Sequence, residues 1–128
     1  MLPVRGLRIV AGMHGVAHST LGIKMSVIQN AFINGVIVAA PVVAAILFWT
    51  RFARFGAILM TLVMVGALTF GVYHHYVAVS VDHVDHLPAG DHGMFKTTAV
   101  VMAIAEALAA AVGVWCMLQL RHATPARA

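Results

Sequence analysis

Three long apolar runs decide what this chain can fold into: Ala31 to Thr50, Phe55 to Val77 and Thr97 to Leu120. A hydrocarbon core of about 30 Å is crossed by roughly 20 helical residues. Each run is that long, carries no Lys or Arg, and only the last carries an acid, Glu106. Inside lipid every backbone N–H and C=O must be satisfied within its own segment, so the runs read as transmembrane helices. The remaining residues do not offset this apolarity. With 62% hydrophobic and 9% charged residues and a mean hydropathy of +0.94, the chain has too little polar surface to coat a soluble domain of its size.

A fourth segment, residues 6–23 (GLRIVAGMHGVAHSTLGI), is shorter and is interrupted by His14, His18 and Ser19. Charge decides in its favour. Lys and Arg accumulate on the cytoplasmic side of short loops. Four spans (residues 6–23, 31–50, 55–77 and 97–120) put Arg5, Arg8, Arg51, Arg54, Arg121 and Arg127 inside, and Lys24, Lys96 and every aspartate outside. Three spans would place Arg5, Arg8 and Lys24 opposite the other arginines. The start, arginine before an apolar stretch, also has the outline of a secretory leader, but the two histidines and the missing small-x-small site argue against one. The expectation is one all-α membrane domain over residues 1–128, a four-helix up-down bundle with both termini cytoplasmic, residing in the plasma (inner) membrane. Residues 78–96 form an extracytoplasmic loop. Pro41 should disturb the second span, since it removes a helical donor and crowds the carbonyl four residues earlier.

The basic residues, scattered singly or in pairs, form no stripe for nucleic acid. A single cysteine, Cys116, excludes an intrachain disulfide and a CxxC metal site. No glycine-rich phosphate loop or GxSxG elbow is present, and the sequence does not decide whether the chain is an enzyme.

The polar chemistry is confined to the outer half. His14 and His18 stand four apart, so on a helix both rings project from one side and can reach one ion. Tyr73, His74, His75 and Tyr76 close the third span; the two histidines project about 100° apart, so at most one of them points into the bundle easily. Glu106 lies within the last span, where an ionisable side chain costs about 2.5–3.5 kcal/mol on insertion scales and normally faces the bundle interior. Counting about 1.5 Å per residue from Lys24 and Lys96 puts His14 and Glu106 at one depth. These residues, His14, His18, His74, His75 and Glu106, are the candidate cofactor-binding set. The loop adds Asp82, His83, Asp85, His86, Asp91 and His92, alternating imidazoles and carboxylates that suit Zn or Cu(II). Copper, zinc or haem are the cofactors such residues would take. Three function classes follow: a metal- or haem-binding membrane protein serving metal handling or electron transfer, a non-catalytic subunit of a larger membrane complex or homo-oligomer, and a proton-coupled transporter acting through Glu106.

Overall fold

The computed structural model describes residues 2–122. They form four helices and, among the described residues, no strand. α1 is Leu2–Thr20, α2 Val27–Phe48, α3 Ala53–Val77 and α4 Gly93–His122. α2, α3 and α4 are long and apolar enough to cross a membrane. α1 is helical over most of the interrupted segment, but it does not reach that level of apolarity.

Local signals set the boundaries. α1 ends in a Schellman closure, in which Ile23 N–H bonds His18 C=O and Gly22 N–H bonds Ser19 C=O. Gly22 takes φ +66°, a conformation that disfavours a side chain. α2 starts with a capping box: Ser26 Oγ accepts from Gln29 N–H while Gln29 Oε1 accepts from Ser26 N–H. Pro41 is accommodated by a wider helical stretch over Ile33–Ala39, after which Ala40 N–H bonds the carbonyl of Gly35, five residues back. Such a π-turn absorbs the register that a proline would otherwise break. A second π-turn, Tyr73–Val77, closes α3, with Ala78 N–H donating to Tyr73 C=O.

α3 is the centre of the packing, between α2 and α4, and α1 lies along α4. Two glycines permit the closest approaches. A Cβ on Gly56 would meet backbone Ala44 O at 2.8 Å, and one on Gly113 would meet Thr61. The buried residues fall into two clusters. Val63, Met64 and Ala110 form the lower one, while Ala17, Leu21, Ile23 and Phe95 form the upper one and take loop residues Val84 and Leu87 against them. The outward surface is apolar: Leu62 is 65% exposed and Leu108 63%, with Phe55, Ile104 and Trp115 similarly bare. A water-soluble monomer does not tolerate so extensive an apolar exterior, and a bilayer accommodates it.

Candidate metal centre

His14 and His18 sit on the face of α1 that turns toward α4, and both are buried. Opposite them, the π-turn at the end of α3 rotates His75 inward, while His74 faces α2, its Nδ1 3.5 Å from Gln29 Nε2 and its ring against Phe70. The 100° between neighbouring helical residues is thus resolved in favour of His75. Three imidazoles converge: His14 Nε2 lies 3.1 Å from His75 Nε2 and 3.1 Å from His18 Nε2. A tetrahedral ion bound by imidazoles at about 2.0–2.1 Å holds its ligand nitrogens about 3.3 Å apart; His14 stands close to that separation from each of the other two, and the three ligand atoms lie within 4.8 Å of one another. Among the described residues it is the one group of three or more His, Cys, Asp or Glu side chains arranged to hold a metal.

Hydrogen-bond partners decide which nitrogens are free. Thr98 Oγ1 lies 2.8 Å from His14 Nδ1, and the same hydroxyl donates into its own helix, to Met94 C=O at 2.7 Å or Phe95 C=O at 3.1 Å. With its single proton so used, the hydroxyl accepts from His14, and His14 carries its hydrogen on Nδ1. His75 Nδ1 faces only acceptors, the Asp82 carbonyl at 3.1 Å and the Asp82 carboxylate at 3.4 Å. It too is protonated on Nδ1. The 3.1 Å contact between His14 Nε2 and His75 Nε2 therefore brings two lone pairs together unless a cation or an added proton stands between them. Orientation of a ligating imidazole through its far N–H by a carboxylate or carbonyl is the common arrangement around bound metals.

Asp82 comes from the loop but belongs to this centre. It is 5% exposed, and its Oδ1 lies 3.3 Å from His18 Nε2 and 3.4 Å from His75 Nδ1. Both carboxylate oxygens, and His18 Nδ1, are buried without an aligned hydrogen bond. Burial alone would raise the Asp82 carboxyl, but the His75 ring beside it and the nearby charge of His75 and His18 outweigh that and hold it below the ordinary carboxylate range. The loop is drawn over the site by Val84 N–H, which bonds His75 C=O.

The rest of the loop set does not join. His83 Nδ1 accepts from Asp85 N–H at 3.2 Å and lies 3.1 Å from His86 Nδ1, so His86 donates and this exposed pair is satisfied without an ion. Asp91 Oδ1 accepts from Gly93 N–H at the start of α4, and His92 Nε2 donates to Pro88 C=O. Two further residues complete the centre that sequence reasoning did not single out. Thr98 orients His14, and Phe95, fully buried, floors the site with its ring centroid 4.9, 5.0 and 5.2 Å from those of His14, His18 and His75. A threonine five residues into a helix that also holds Lys96 gave little signal, and a single phenylalanine beside a polar loop gave none.

Glu106 is 3% exposed and points into a cavity of about 530 Å³ that also reaches the three histidines. His14 is not level with it. α1 stops at Thr20, six residues after His14, and α4 starts at Gly93, five before Thr98, so those two meet and Glu106 lies eight residues, about 12 Å, farther along α4. The depth count from Lys24 failed in part because the chain turns at Gly22 instead of continuing as helix, which accounts for about 6 Å of the offset. Comparison with models of protein families, with curated proteins and with solved structures returned no match.

Proposed function

We propose that this chain is an integral membrane protein of four spans that binds one first-row transition-metal ion, Zn(II) or Cu(II), at the outer end of its bundle through Nε2 of His14, His18 and His75. One observation carries the reading: two imidazoles whose far nitrogens are committed as donors turn their lone pairs on each other at 3.1 Å. Neutral nitrogen ligands in an oxygen-poor, thiolate-free pocket select Zn or Cu over Mg or Ca. A bare ion is favoured over haem, because haem iron offers protein ligands two axial positions on opposite faces, about 4 Å apart, whereas here three nitrogens gather at one point. Asp82 supplies negative charge beside the ion and fixes His75; Thr98 fixes His14. In this topology α1 completes the bundle along α4, both termini lie in the cytoplasm of a cell bounded by a plasma (inner) membrane, and residues 78–92 cap the site from outside.

The ion serves metal handling or electron transfer; the exposed His83–His86 pair above it suits a point of first capture. A second reading has a specific support: a protonated His75 paired with Asp82 would also resolve the lone-pair conflict, making the trio a proton store. Elemental analysis of detergent-purified protein, joined to nitrogen-15 spectra of its histidines, tests both. About one equivalent of Zn or Cu per chain, lost in His14→Ala and His75→Ala, supports the metal. Chains free of metal, showing an imidazolium that persists above neutral pH, replace it with the proton store.

A further inference from the structure

Glu106 has no hydrogen bond or ion pair with any described residue, although it is 3% exposed and electrostatically close to His75. A carboxyl so placed is expensive unless something satisfies it. Its cavity has room for a molecule: about 530 Å³ falls in the range that small-ligand sites occupy. Much of the cavity lining is apolar, including Ile37 and Pro41 from α2, Ala67 from α3, and Met102 and Ala103 from α4, beside the polar Ser19, Asn30 and Tyr76. Among the described residues, no Lys or Arg lines the cavity. The cavity opens where α1 and α2 fail to pack together, past the exposed Gly12, Gly15, Val38 and Val42. In a bilayer that gap faces acyl chains and not water. Gly71 lines the cavity, and a Cβ there would meet nothing within 4 Å.

The geometry points to a binding site for a lipophilic alcohol or phenol, entering from the bilayer between α1 and α2, whose single hydroxyl hydrogen-bonds Glu106. The three histidines that line the chamber belong to the metal centre, and Ser19 and Asn30 donate to backbone carbonyls, so Glu106 is the carboxyl left to select a polar group on the ligand. A hydroxyl is preferred to an ammonium because the histidine centre, with its own cation or proton, shares the chamber and raises the cost of a second positive charge. The site is independent of which occupant the histidines hold.

The probe is 4-nonylphenol, measured against nonylbenzene and dodecylamine by equilibrium binding to the full chain in nanodiscs, with and without added Zn. The phenol is expected to bind one per chain, about tenfold tighter than nonylbenzene, which is what one retained hydrogen bond in a dry site supplies. Glu106→Leu abolishes that preference, Glu106→Gln keeps it within about threefold because the amide still accepts, and Gly71→Leu blocks both probes while leaving Zn stoichiometry unchanged. Equal binding of phenol and nonylbenzene, or full phenol binding in Glu106→Leu or Gly71→Leu, overturns the site. Tighter binding of dodecylamine that Glu106→Gln removes overturns the hydroxyl assignment. Because Zn content is read in the same samples, failure of this site and failure of the metal centre give different results.

Discussion

Thr98→Val replaces a hydroxyl by a methyl of nearly the same shape and removes the acceptor on which the tautomer of His14 rests. In the native chain His14 Nδ1–H is held by Thr98 Oγ1 at 2.8 Å, which leaves Nε2 aimed at the other two rings. With valine in place, Nδ1–H is buried without a partner, and the imidazole can flip or move its proton to Nε2, the atom that must give its lone pair to the ion. Loss of such an orienting group typically costs about 10–100-fold in metal affinity, or about 1.4–2.7 kcal/mol. An unpaired buried N–H costs about 1–3 kcal/mol of stability, an upper bound in the metal-free protein, where His14 can shift its proton to Nε2 and donate to His75. Competition titration against a chromophoric zinc chelator reads the first effect, and thermal unfolding of metal-free protein reads the second. Thr98→Ser should restore most of both, since it keeps the acceptor. Unchanged zinc affinity in Thr98→Val would refute the assignment of His14 as an Nε2 ligand, whatever the stability change.

Other consequences follow from the same geometry. Asp82 stabilises the fold most where it is ionised: with its folded-state pKa lowered, that stability is present above the ordinary value of 3.8 and is lost as the pH falls through the folded value, so acid unfolding of Asp82→Asn should be flatter below about pH 4. His83→Ala and His86→Ala, which break a pair already satisfied, should leave zinc affinity within about threefold; a larger loss in equilibrium titration would place the ion in the loop instead. Gly56→Ala drives a methyl against the backbone of α2 and Gly113→Ala drives one against Thr61 of α3, so each should lower stability by about 1–3 kcal/mol in thermal melts, with metal stoichiometry retained.

How much of this was readable beforehand varies from residue to residue. The apolar runs announced α2, α3 and α4, because length without charge is a property of the run itself and needs no tertiary information. His14 and His18 were legible as a pair from helical spacing alone. That His75 and not His74 joins them depends on the π-turn at Tyr73–Val77, a backbone adjustment that no side-chain pattern encodes. Asp82 stood among six look-alike loop residues; its inward turn is fixed by long-range contacts, Val84 N–H to His75 C=O and the packing of Val84 and Leu87 on Phe95. The level of His14 was misjudged by about eight residues of α4, and the early end of α1 before Gly22 accounts for about half of that. Thr98 and Glu106 are eight residues apart, more than two turns of α4, so the misplaced level decided which of them His14 met.

X-ray absorption at the zinc or copper edge, on protein purified in detergent and supplied with one equivalent of metal, examines the ligand set itself. Three imidazole nitrogens at about 2.0–2.1 Å, reduced to two in His18→Ala and with no sulfur scatterer, is the result this arrangement requires. A shell dominated by oxygen, or an imidazole count that does not change when His14, His18 or His75 is replaced, would mean that the ion binds elsewhere and that the three rings meet for another reason.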